Sequence, residues 1–158
     1  MAKLVLPEQW DSLDLDPCCG GSNVKRLPGP ISPLVYSLNQ IGINAYTGRA
    51  GSQKGKRAIM PLVGWKYYKN YFPFEAGVDR VMKTHEFDWI INPFSVRGSE
   101  FHELAPRSGV FQGTREGITQ AQLQSIDLAM AILQDFGLKE DDAVDSMRKY
   151  QEQLRQGN

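Results

Sequence analysis

ITQAQLQSIDLAMAILQDFG, from Ile118 to Gly137, is the stretch at which the chain changes texture. Leu123, Ile126, Met130, Leu133 and Phe136 recur at spacings of three and four, the period of an apolar stripe on an α-helix. Thr119 with Gln122 forms a capping box and Ile118 with Leu123 a hydrophobic staple, so the spacing predicts a helix that begins at Thr119. Gly137 is placed to end it. A second helix is expected almost at once. Glu140, Asp141 and Asp142 fill its first turn, where a helix dipole favours carboxylates, and Ala143, Val144, Met147, Tyr150 and Leu154 form one apolar stripe. The short connection predicts an antiparallel helical hairpin over 118–158.

Working upstream, all nine prolines and thirteen of the fifteen glycines lie before Ile118, so the rest of the fold must be built from short elements. Ser32 as N-cap, Pro33 in the first turn and Gly42 beyond the end mark one short helix with Leu34, Val35, Leu38 and Ile41 on its buried face. Ala58 to Val63 reads as a strand that Pro61 restricts to an edge or a bulge. Aromatics and lysines alternate from Trp65 to Phe74 as in a continuing sheet, and Phe74, Val78, Val81 and Met82 then fall at helical spacing. Phe87, Trp89 and Ile91 alternate as one strand face stopped by Asn92 and Pro93, with only short elements and loops expected from Phe94 to Gly117. The expected class is α+β, a small and mostly antiparallel sheet over 32–117 packed with the helical hairpin as a single domain. At 158 residues the chain is large enough to bury one core without disulfides or metal.

The first thirty-one residues read as an extended arm. Pro7, Pro17, Pro28 and Pro30 with Gly20, Gly21 and Gly29 oppose regular structure there. Leu4, Leu6, Trp10, Leu13 and Leu15 are candidate anchors that would lie along a groove of the same subunit or of a neighbour, because leaving them in water is costly. Cys18 and Cys19, the only cysteines, are adjacent and cannot staple distant segments, so they are expected as reduced thiols.

Charge is unevenly placed. From Pro17 to Phe74 there is no aspartate or glutamate, while Lys25, Arg26, Arg49, Lys54, Lys56, Arg57, Lys66 and Lys69 give a segment of net charge +8 within a chain of formal net charge +0. Such a field attracts an anionic partner, whether nucleic acid, an acidic protein face or the acidic remainder of the same molecule.

Catalytic signatures fail on inspection. In AGSQKGKR, Ala50 to Arg57, a phosphate-binding loop would need glycine at Ala50 and a hydroxyl residue at Arg57. G-x-S-x-G is absent. His85 with Glu86 and His102 with Glu103 are adjacent pairs whose side chains diverge on helix or strand, so they read as exposed polar residues near element ends. No catalytic residue, metal site or cofactor is expected.

The remaining candidates are basic and aromatic. Arg49, Lys54, Lys56, Arg57, Lys66 and Lys69 could hold phosphates while Trp65, Tyr67 and Tyr68 stack on unpaired bases. The same residue types suit a protein interface. In its order of features, IGINAYTGRAGSQKGKRAIMPLVGWKYY, Ile41 to Tyr68, resembles phage single-strand annealing proteins: Gly42, Ile43 and Asn44 match a Gly-Leu-Asn-Pro-like turn, with Ala45 in place of the proline, before a strand with proline and a Val-Gly segment with an aromatic residue. That resemblance covers under a fifth of the chain and implies contact with single strands.

Taken together, these residues lead to the expectation of a non-enzymatic assembly or interaction protein, such as a structural component of a phage-like particle or another repeating complex. Its partners are expected to be protein or further copies of itself. A single-strand-binding or annealing protein is the alternative, and a small inhibitor of another enzyme the third. No apolar run approaches the roughly 18–20 residues of a membrane span, and Met1 to Trp10 does not lead from a basic end into an apolar segment. The expected location is cytoplasmic or within an assembled particle, without membrane contact.

Overall fold

The computed structural model describes residues 31–45, 47–49, 51–54, 57–138 and 143–156. The arm, Ile31 apart, and the carboxylates Glu140, Asp141 and Asp142 lie outside them. The architecture is α+β. In chain order the elements are α1 (Ser32–Ile41), β1 (Thr47–Arg49), β2 (Ser52–Lys54), β3 (Arg57–Ile59), β4 (Leu62–Lys66), a 3₁₀ turn (Lys69–Tyr71), α2 (Phe72–Thr84), β5 (Trp89–Val96), β6 (Ser99–Pro106), α3 (Arg115–Asp135) and α4 (Ala143–Arg155). β1, β4, β6 and β5 form a four-stranded antiparallel sheet in that order, and β2 and β3 a separate two-stranded hairpin.

The helices meet one face of the sheet. Val63 and Trp65 of β4, Leu104 of β6 and Trp89 of β5 are buried together with Leu34 and Leu38 of α1, Val78 and Met82 of α2, and Ile126 and Ile132 of α3. Each aliphatic side chain removed from water in this way contributes about 1.5–3 kcal/mol. α3 is buried beyond a single stripe, on Ile118, Ala121, Leu123, Ser125, Ile126, Leu128, Ala129, Ala131, Ile132 and Leu133, because α1, α2 and α4 all pack on it. Small side chains let α1 approach closely, with Ser37 Oγ donating to the Ala129 carbonyl at 2.9 Å. α4 closes the antiparallel pair, where Gln151 Nε2 donates to the Leu123 carbonyl at 3.1 Å and to Asp127 Oδ1 at 2.7 Å.

Several boundaries differ from the sequence reading. α3 begins at Arg115, capped by Thr114, whose hydroxyl accepts from Gly117 N at 3.1 Å; Thr119 lies inside the helix and its hydroxyl donates to the Arg115 carbonyl. A hydroxyl five residues earlier therefore takes the capping role. The N-cap of α1 is the buried Ile31, with Ser32 already helical. The strand expected over Ala58–Val63 divides at Met60 and Pro61 into β3 and β4, and the sheet ends at Lys66, so Lys69 to Phe74 belongs to the 3₁₀ turn and α2.

The largest difference concerns β5 and β6. Asn92 and Pro93 do not stop β5, which runs on to Val96, and the segment expected to be loops contains the eight-residue β6. Arg107 N donates to the Asp88 carbonyl, and carrying that pattern along the register Trp89↔Pro106 to Val96↔Ser99 puts Pro93 and His102 in a pair without mutual backbone bonds. Pro93 nitrogen thus points away from β6, to the open edge, where a missing N–H costs nothing. Arg97 and Gly98 close the hairpin with φ of 50° and 81°, the left-handed pair that a two-residue type I′ turn requires.

Candidate functional site

Antiparallel register sorts the side chains of β4, β5 and β6 into two sets. Val63 and Trp65, Glu100, His102 and Leu104, and Trp89, Ile91, Pro93 and Ser95 share the face toward the helices. Leu62, Gly64 and Lys66, Phe101, Glu103 and Ala105, and Ile90, Asn92, Phe94 and Val96 share the other. Each face has its own cluster at the Lys66 end of the sheet.

On the helix side the cluster is polar and buried. Trp65 and His102 are cross-strand partners. Both reach the carboxylate of Glu75 in the first turn of α2: Trp65 Nε1 donates to Glu75 Oε2 at 2.7 Å, and His102 Nδ1 lies 2.8 Å from Oε1 and 3.0 Å from Oε2. His102 Nε2 lies 2.7 Å from Glu100 Oε2, two residues back along β6. Tyr67 covers the imidazole, ring centroids 4.2 Å apart and planes inclined 16°. The side chains of His102 and Glu75 are 11% and 10% exposed, whereas that of Glu100 is half exposed. With a carboxylate at each ring nitrogen, His102 donates to both only when doubly protonated; otherwise a carboxyl group supplies one of the shared protons.

This cluster was not foreseen. His102 is neither exposed nor matched with its neighbour Glu103, which sits on the opposite face. His85 is held differently, 3.1 Å from Asp135 Oδ2, at the point where the ends of α2 and α3 meet. Among the described residues no three histidine, cysteine, aspartate or glutamate side chains are arranged to hold a metal ion.

On the open side the cluster is aromatic and basic. Phe94 and Phe101, directly paired across β5 and β6, stack with centroids 5.7 Å apart and planes inclined 23°. Phe101 is the cross-strand partner of Lys66, whose Nζ lies 5.6 Å from the centroid of Tyr68. Phe94, Phe101, Lys66 and Tyr68 therefore form one ridge across three segments. Phe94 is 40% exposed, Val96 45% and Tyr68 49%, and Phe72 at the start of α2 is 66% exposed. Gly64 apart, no residue of the open face on β4, β5 or β6 is buried.

The structure divides the candidates taken from the sequence. Trp65 is fully buried with its indole N–H engaged and has no free ring face, and Tyr67 is packed on His102. Of the three aromatic candidates, Tyr68 alone is exposed. Lys66 and Lys69 are exposed beside it. Arg49 lies in β1 opposite Leu62, and the backbone pairs Lys54 with Arg57 in the β2–β3 hairpin. That hairpin leaves the sheet at the Leu62 end, where Gln122 of α3 donates to the Gly51 carbonyl. The basic residues are thus split between the two ends of β4, about 13 Å apart at 3.3 Å per residue. Leu4, Leu6, Trp10, Leu13 and Leu15 lie outside the described residues, as does Lys56. Phe94 and Phe101, which complete the ridge, were missed; the signal for them was the interrupted alternation around Pro93.

No protein-family model matches the chain, and neither a curated protein nor a solved structure matches it. The likeness to annealing proteins over Ile41–Tyr68 therefore remains one of feature order and assigns no residue a role. No helix among the described residues is long and apolar enough to cross a membrane.

Proposed function

We propose that the chain is a non-enzymatic interaction protein that docks its partner on the open face of the four-stranded sheet. The observation that carries this reading is the ridge in which Phe94 stacks on the half-buried Phe101 and Lys66 lies over Tyr68, with Phe94, Lys66 and Tyr68 open to water. Exposed apolar surface of this kind is maintained at a cost in solubility and marks interaction sites. Aromatic rings also lose little conformational freedom when covered, which makes them effective interface anchors. A subunit of a repeating assembly fits this reading. The polar cluster beneath the sheet supports it: Glu75, His102 and Tyr67 fix the end of β4, so Lys66 and Tyr68 are presented on a rigid frame.

Sedimentation velocity of the full chain over a wide concentration range, alone and with nucleic acid, tests the proposal. The expected result is an association that Phe94→Glu combined with Tyr68→Glu abolishes while circular dichroism and the melting profile stay those of the folded protein. An association of unchanged strength in the folded double variant would remove the open face as the docking surface.

A further inference from the structure

We infer that the occupant of the open face is a single strand of nucleic acid, an inference that rests on the docking reading above. Two independent features point to it. The first is the geometry of the ridge: Phe94 and Phe101 are offset-stacked at 5.7 Å on a sheet whose other face carries the helices, and Tyr68 adds a further exposed ring. Flat rings on an open antiparallel sheet accept unpaired bases, which present π-faces regardless of sequence. A duplex offers no such face, because its bases are already stacked.

The second feature is charge. Every residue of β1, β2, β3, β4 and the 3₁₀ turn belongs to the stretch Pro17–Phe74 that has no carboxylate, so Lys66 and Lys69, at the ridge end of β4, have no acidic residue on their own strand or turn, while Arg49, Lys54 and Arg57 belong to the segments at its Leu62 end. Lys66 lies within the ridge and Lys69 follows Tyr68, which places cations beside stacking rings as a phosphate backbone threaded across them needs. Glu103 is the carboxylate on this face of β4, β5 and β6, and its cross-strand neighbour is Asn92. A second copy of the chain would have to bring an acidic surface to the same place, which makes self-association the competing occupant.

Fluorescence anisotropy of a labelled thirty-nucleotide oligothymidine and of a duplex of equal length, read at several salt concentrations with the full-length protein, decides between them. The expected result is binding of the single strand in preference to the duplex, weakened by about ten-fold or more in Tyr68→Ala and in Phe94→Ala. Each phosphate contact on a single strand contributes about 0.7 to the slope of log affinity against log salt, so Lys66→Gln with Lys69→Gln is expected to flatten that slope by about 1.4. Because both lysines are exposed, this pair remains informative if an aromatic variant fails to fold. Equal affinity for duplex and single strand, or a salt slope unmoved in the lysine pair, overturns the inference. No oligonucleotide binding together with a concentration-dependent oligomer that Phe94→Glu with Tyr68→Glu dissolves overturns the nucleic-acid occupant while leaving the docking face intact.

Discussion

Trp65 Nε1 donates to Glu75 Oε2 at 2.7 Å, a bond between a fully buried indole on β4 and a buried carboxylate on the first turn of α2. The same carboxylate receives His102 Nδ1, so Glu75 is the single acceptor for two groups on adjacent strands. Removing it orphans both, and each buried polar group left without a partner costs about 1–3 kcal/mol. Glu75→Ala is expected to destabilise the protein by about 3 kcal/mol in urea unfolding. Glu75→Gln, which keeps an oxygen for the indole and replaces the other carboxylate oxygen facing His102 by an amide nitrogen, is expected to cost about half as much. Equal losses for the two variants would show that the junction needs both carboxylate oxygens and not only the indole's acceptor.

Pro93 sits in the middle of the edge strand β5 with its nitrogen turned outward. An exposed eight-residue edge is a template for pairing with another chain, and a missing donor at its centre interrupts that template. Pro93→Val restores the donor. The expected outcome is a stability within about 0.5 kcal/mol of the original and a faster rise of light scattering with concentration. A variant as soluble as the parent would mean that the edge is protected by something else.

Gly77 of α2 faces the ring of Phe136 at the end of α3. A Cβ built there would lie 2.5 Å from Phe136 Cζ, too near for two carbons. Alanine favours a helix by about 1 kcal/mol over glycine, whereas overpacking costs about 1–3 kcal/mol, so packing outweighs propensity here. Gly77→Ala is expected to lower stability by about 1 kcal/mol, and adding Phe136→Leu, which withdraws the ring, to recover part of the loss. A stabilised single variant would show that Phe136 moves aside freely.

The parts of this fold that were legible in sequence share one property, a periodic signal longer than two turns or a strand. Leu123 to Leu133 announced α3, and Gly137, at φ 83°, ends it as expected. Phe74, Val78, Val81 and Met82 likewise announced α2. What stayed hidden depended on partners far along the chain. Pro93 is compatible with a strand only because β5 is an edge, a fact of sheet order that no local window contains. Arg97-Gly98 turns the hairpin with a residue pair other than the usual Asn-Gly, so β6 had no turn signal before it. The buried cluster is more remote still: Glu75 and His102 are 27 residues apart and meet because β4 aligns Trp65 with His102. Read singly, each was an ordinary polar residue. The lysines and aromatics of Trp65–Phe74 were visible as a group, but which of them face water depends on where β4 stops, at Lys66.

That unusual turn makes the last prediction. Arg97 holds φ at 50°, a conformation that costs most residues about 1–2 kcal/mol and asparagine less, and Gly98 follows at 81° with nothing within 4 Å of a built Cβ. Space is therefore no obstacle at Gly98, and only backbone conformation separates it from alanine. Arg97→Asn is expected to raise stability by about 0.5–1 kcal/mol, or about 1–4 °C in melting temperature for a chain of this size. Gly98→Ala is expected to lower stability by about 1 kcal/mol, a loss set by φ alone. Because the turn aligns Phe94 with Phe101, the two variants should also move ligand affinity in opposite directions when titrated against the same oligonucleotide. Thermal melts that shift as expected without any change in affinity would place the ridge outside the binding surface.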